Sequence, residues 1–124
     1  MEISKQEQFV HENKTWGRSL DFFKQENNLL KNRLSIIVDN KEDKEFLIVA
    51  EFFQSQFILK DQFIDDLKND VKHHEKYIVE NFNNVILLNT ILKKQEKLRN
   101  EIGFFEKDFS SLRHQFNKSI AQFL

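Results

Sequence analysis

Residues 42–82 read EDKEFLIVAEFFQSQFILKDQFIDDLKNDVKHHEKYIVENF, and this stretch decides the fold. Apolar side chains recur along it in alternating steps of four and three residues, the period at which one side of a long α-helix stays apolar and faces a partner helix. We call these positions the central seam: Phe46, Ala50, Phe53, Phe57, Ile64, Leu67, Val71 and Ile78. The same line passes through Lys60 and His74, so two polar residues are expected at core positions. The pattern predicts the middle helix of a helical bundle.

The segments on either side carry similar patterns. The first repeats apolar residues every seven positions, at Phe9, Trp16, Phe23, Leu30 and Ile37, beside a second row of Phe22, Leu29 and Ile36. We expect this wide apolar arc to contact two neighbouring helices. The last segment alternates steps of three and four from Leu88 to Phe123.

Two short polar clusters separate the three patterns, at residues 39–43 and 81–84. Asp and Asn side chains there can cap helices and make turns without Gly or Pro. We therefore predict helices at about 3–38, 42–80 and 84–123 in one domain, residues 1–124. The fold class is all-α, an up-down-up antiparallel three-helix bundle, or coiled coil of long helices. A break near 68–75 would instead give a four-helix bundle. The layout is similar to a spectrin-type three-helix repeat in helix number and length, which implies no function.

Composition excludes several functions. The 124 residues include no Cys, no Pro and only two Gly, so disulfide frameworks, thiolate sites and Gly-rich phosphate loops are absent. The 19 basic and 20 acidic residues are spread evenly and favour neither nucleic acid nor a membrane surface. The start lacks the apolar core of a signal peptide, which predicts a cytoplasmic protein. We interpret Gly17, inside the first helix, as a site of close packing or a local bend.

Polar residues at core positions predict a buried polar layer. If the first turn is centred near position 40, Asn27 and Glu26 lie level with Phe53 and Gln54, and Gln56 is close enough to join them. Such a layer penalises wrong helix registers, because a misaligned helix leaves its amide unpaired. The alternative is a polar pocket for a ligand.

The far end of the bundle carries the only group of candidate metal ligands. The same estimate of height sets Glu7 and His11 near His73, and Asp70 lies one helical turn before His73 and His74. Imidazole and carboxylate groups suit zinc or iron. The spacing, however, matches only part of the di-iron pattern of helical bundles. The alternative is a solvated cluster, with His74 as a hydrogen-bonded core histidine.

Several large apolar residues lie off the seams. They are Phe52, Leu59 and Phe63 on the second helix, Tyr77 near the second turn and Phe104 on the third helix. Together they exceed what one slim bundle readily covers, which predicts association with protein, most simply as a homodimer. No catalytic motif accompanies them. We therefore expect a non-catalytic association, adaptor or scaffold protein, with binding of a metal or small ligand at the His11, Asp70 and His73 end as the alternative.

Overall fold

The computed structural model describes residues 4–124 and contains three long α-helices. Helix α1 spans Lys5–Asp39, α2 spans Lys44–Asn81 and α3 spans Val85–Ala121. The predicted three-helix bundle is confirmed. Because α2 runs without a break through residues 68–75, the four-helix alternative is wrong. The predicted helix start at residue 3 lies outside the described residues.

Each helix begins at a side chain that caps it. Ser4, Asp43 and Asn84 are extended in backbone conformation, and each side-chain oxygen accepts a hydrogen bond from a backbone N–H in the following turn. This satisfies a donor that has no partner within the helix. The Asp and Asn clusters thus reverse the chain where the sequence predicted.

The direction of the helices follows from which residues bond to each other. Hydrogen-bonded side chains of α1 and α3 lie 82 to 87 residues apart along the whole contact, so these two helices are parallel. Between α1 and α2 the separation falls from 72 to 30 towards the first turn. Between α2 and α3 it falls from 48 to 21 towards the second turn. Both of these pairs are therefore antiparallel.

The core is the set of predicted seams. Every residue of the central seam is buried, and so are Lys60 and His74 on the same line. Phenylalanine rings contact each other across the helices. The ring centres of Phe53 and Phe116 are 5.3 Å apart and those of Phe23 and Phe105 are 5.6 Å apart, both in edge-to-face geometry. Such pairs add about 0.5–1.5 kcal/mol each beyond their burial.

Two details of α1 differ from expectation. The second apolar row of Phe22, Leu29 and Ile36 is 56 to 67% exposed, so it does not pack within the chain. Helix α3 packs less closely on α1 than α2 packs on α1, and it leaves this row largely uncovered. The helix continues through Gly17, but a Cβ there would meet no atom within 4 Å, so close packing does not explain this glycine.

Candidate association surface

An apolar groove opens between α2 and α3 at mid-height. It encloses about 450 Å³. Its floor includes the buried side chains of Leu67 and Phe105, and Phe63 and Phe104 rise on opposite sides of it. Phe63 is 57% exposed and Phe104 is 74% exposed, the most of any phenylalanine. The groove therefore presents two aromatic rings, one from each helix, that the chain itself leaves uncovered.

The charges in this groove are already paired. The Nζ of Lys60, a buried seam position, forms an ion pair with Asp108 of α3 and lies 5.9 Å from the centre of the Phe63 ring. Glu101 accepts a weaker contact of 3.7 Å from Lys97 on the same helix. Because these charges have partners, the exposed rings are the uncovered feature of the groove.

The apolar surface continues along α2. Phe52 and Leu59 are 53% and 45% exposed, and they lie eleven and four residues before Phe63, on the same side of the helix. We call Phe52, Leu59, Phe63 and Phe104 the association face. All four were predicted to lie off the core, and all four are exposed.

Tyr77 belongs elsewhere. It is partly buried and packs, with Val10 and Phe82, against a small core cluster of Phe9, Ile78 and Ile91 at the second turn. It also lines a groove between α2 and α3 together with Asp70. Because it is partly buried, we define the association face without it. The exposed row of Phe22, Leu29 and Ile36 on α1, by contrast, was predicted to be covered. Its seven-residue spacing gave no signal that distinguishes a packed row from an exposed one.

The predicted metal ligands do not come together. Asp70, His73 and His74 line one groove with residues of α3, whereas Glu7 and His11 line another on α1. Among residues 4–124 there is no group of three or more His, Asp or Glu side chains placed to hold a metal ion. The metal site, which the sequence offered as an alternative to a solvated cluster, is wrong because its candidate ligands line different grooves.

The estimated height of α1 relative to α2 was also in error. Asn27 is fully buried, as predicted, but its Nδ2 donates to the Phe57 carbonyl and to Asp61, both at 2.8 Å. The predicted level was Phe53 and Gln54, one helical turn away. Helix α1 continues to Asp39 and α2 starts only at Lys44, so the turn is centred later than position 40.

The remaining members of the predicted layer have other environments. Glu26 forms a two-oxygen contact with Arg113 of α3, at 2.8 and 2.9 Å, and Gln56 is only partly buried. Asp61, not Glu26 or Gln56, is the side chain that bonds to Asn27. Burial alone would raise the pKa of Asp61, but hydrogen bonds from Lys31 and Asn27 outweigh it and lower the pKa.

A second polar layer was not predicted as a unit. Gln95, buried on α3, accepts hydrogen bonds from Asn13 Nδ2 at 2.9 Å and His74 Nε2 at 3.0 Å, and it donates to Glu12 at 2.7 Å. The expectation of a hydrogen-bonded core histidine is confirmed. Burial disfavours the imidazolium and lowers the pKa of His74. Hydrogen bonds from Arg99, at 2.7 and 2.9 Å, hold the pKa of Glu12 below its usual value.

This layer spans all three helices. Asn13, Gln95 and His74 each occupy a core position in the sequence pattern, so their burial was foreseeable. Predicting that they contact one another would have required the relative heights of all three helices. The layer holds these helices in register, since a shift of one turn would leave three buried polar groups unpaired.

Comparisons of the chain with protein families, curated proteins and solved structures give no match. In the described part of the chain, none of the helices has an apolar stretch of the length needed to cross a membrane.

Proposed function

We propose that this protein acts without catalysis, by associating with a second copy of itself through the association face. The observation that carries the proposal is the position of Phe63 and Phe104. They come from different helices, stand on either side of one apolar groove and remain more than half exposed. Exposed apolar surface concentrated in this way is typical of interaction sites.

The size of the face supports a dimer. With about 200 Å² for a phenylalanine side chain, the three rings expose roughly 350 Å², and Leu59 brings the apolar total to about 400–450 Å². Two copies would cover about 850 Å² of apolar surface. Because interfaces are about 57% apolar, the whole contact would reach about 1,500 Å², within the standard range of about 1,200–2,000 Å².

A non-catalytic role is supported by the use the chain makes of its buried polar groups. Gln95, His74 and Asn13 bond to each other, and Asn27 bonds to Asp61, across helix contacts. These bonds fix the helices relative to one another. The sequence also lacks a phosphate loop, a nucleophile elbow and a zincin motif.

The test compares matched phenylalanines on different faces. Phe63→Ser and Phe104→Ser remove rings of the association face, whereas Phe22→Ser removes an equally exposed ring, 56% against 57% for Phe63, from α1. We expect the first two variants to dimerise about 100-fold more weakly in sedimentation velocity, as loss of interface anchors does. Phe22→Ser should dimerise as the unmodified chain does.

Circular dichroism and melting temperature control for folding in all three variants. The proposal would be refuted if the Phe63→Ser and Phe104→Ser proteins dimerised normally, or if Phe22→Ser weakened the dimer equally. A chain that stays monomeric at all concentrations would also refute it.

A further inference from the structure

Opposite charges flank the aromatic pair of the association face. Asp70 lies seven residues after Phe63 on α2, and Lys97 lies seven residues before Phe104 on α3. Seven residues are nearly two full turns, so each charge lies on the same side of its helix as the ring. Both Asp70 and Lys97 are exposed. Beyond the paired charges of the groove, α2 therefore presents a carboxylate and α3 an ammonium group on this face.

The two rings lie at nearly the same height along the bundle. Lys60 contacts Asp108, and the helices are antiparallel, so three residues further along α2 and three back along α3 place Phe63 level with Phe105. Phe104 is the next residue. The offset of the two rings along the axis is therefore about 1.5 Å.

The two charges also lie at nearly the same height. His74 contacts Gln95, so four residues back along α2 and four further along α3 place Asp70 level with Arg99. Lys97 lies two residues away, an offset of about 3 Å. A two-fold axis parallel to the bundle keeps every height unchanged while it exchanges the α2 side of the face for the α3 side. The face is therefore complementary to itself.

We infer that two copies dock about such an axis, each laying its α2 antiparallel on α3 of the other. Phe63 of one copy then packs on Phe104 of the second copy, and Asp70 lies opposite Lys97 of the second copy. Each contact occurs twice. The inference rests on the proposed self-association and adds the arrangement of the two copies.

The other two-fold arrangement, with α2 on α2, fits less well. Centred between positions 57 and 58, it would pair Phe52 with Phe63 and Gln56 with Leu59 of the second copy. It would give Phe104, the most exposed ring, no aromatic counterpart, and it would leave Asp70 and Lys97 unmatched. The existing contact of Lys97 with Glu101 does not compete strongly, because a 3.7 Å pair between exposed side chains contributes little.

Charge reversal tests the arrangement. Asp70→Lys alone, or Lys97→Asp alone, sets like charges together twice in each dimer, and we expect either variant to dimerise about tenfold more weakly. An equimolar mixture of the two variants restores opposite charges at both contacts of a mixed dimer. Sedimentation velocity should therefore show the mixture dimerising within about threefold of the unmodified chain. A mixture as weak as its components overturns the inference.

Cross-linking gives an independent readout, because the chain has no native cysteine. Asp70→Cys and Lys97→Cys proteins, oxidised together, should give a disulfide-linked dimer that neither gives alone. A linked dimer from Gln56→Cys and Leu59→Cys proteins oxidised together, with none from the Asp70→Cys and Lys97→Cys mixture, would establish the α2-on-α2 arrangement and overturn the inference. In that case the dimer itself would persist in sedimentation, so failure of the arrangement is distinguishable from failure of the proposed function.

Discussion

Replacing Gln95 with leucine would separate the two roles of the second polar layer, filling the core and bonding across it. Gln95 is 1% exposed and bonds to side chains of both other helices. Leucine has a similar volume and no polar atoms. The Gln95→Leu variant therefore keeps the packing and removes the bonds.

The magnitude follows from the groups left behind. His74 keeps a buried N–H without an acceptor, which costs about 1–3 kcal/mol. Asn13 keeps its 2.8 Å bond to the Phe9 carbonyl but loses the second one, at about 1 kcal/mol. The added apolar contact of leucine recovers about 1 kcal/mol. We expect a net loss of about 1–3 kcal/mol, or a melting temperature lower by about 4–12 °C.

Urea unfolding followed by circular dichroism measures this loss. The exposed Gln115→Leu change is the control and should alter the free energy of unfolding by less than about 0.5 kcal/mol. The triple variant with leucine at Asn13, His74 and Gln95 should recover most of the stability, because no polar group then remains unpaired. If Gln95→Leu were as stable as the unmodified chain, the layer would not hold the helices together as we argue.

The structure supports two further predictions. Gly17→Ala and Gly103→Ala should each raise the free energy of unfolding by about 0.5–1 kcal/mol in urea titrations, because both glycines are helical and a Cβ at either meets no atom within 4 Å; destabilisation by either change would show that the local backbone needs glycine. Burial lowers the pKa of His74 in the folded protein below the ordinary value of 6.5. Below pH 6.5 the unfolded chain therefore binds more protons at His74 than the folded protein does. The free energy of unfolding should therefore fall as the pH drops from about 7.5 to 5.5, and His74→Leu should remove much of that fall; an equal fall in the variant would assign it to other groups.

The sequence was sufficient for the helices and for their buried sides. The steps of three and four along 46–78 identify every buried position of α2, including Lys60 and His74, because burial along a helix repeats with its geometry. The capping residues Asp43 and Asn84 were also recognisable, since an Asx side chain before an apolar pattern satisfies the first free N–H groups.

Relative height was the part that the pattern could not supply. When one helix slides along another by one turn, every apolar residue stays on the same side of its helix. The sequence pattern therefore constrains the relative height of two helices weakly. The first turn is centred later than position 40, and that difference moved Asn27 from Phe53 to Phe57. The predicted metal ligands His11 and His73 are separated for another reason: His11 lines a groove on α1, whereas His73 lines a groove between α2 and α3. Sites built from several helices are therefore harder to predict than the helices.

The extent of the core on α1 was also beyond the pattern. Phe22, Leu29 and Ile36 repeat as regularly as the buried row beside them, yet they are exposed. Periodicity shows which side of a helix is apolar, but whether a neighbour covers it depends on how closely α3 packs. An exposed row of this kind becomes visible only when the helices are placed together, whereas the association face was recognisable because its residues lie off the apolar pattern.

The measurement that tests self-association most directly is sedimentation equilibrium of the unmodified chain over a wide range of concentrations. Self-association through the association face predicts that the mass rises with concentration from the chain mass of 15.0 kDa to twice that value and then stays constant, as for a closed two-fold dimer. A mass of 15.0 kDa throughout, or growth beyond two chains without a plateau, would contradict it.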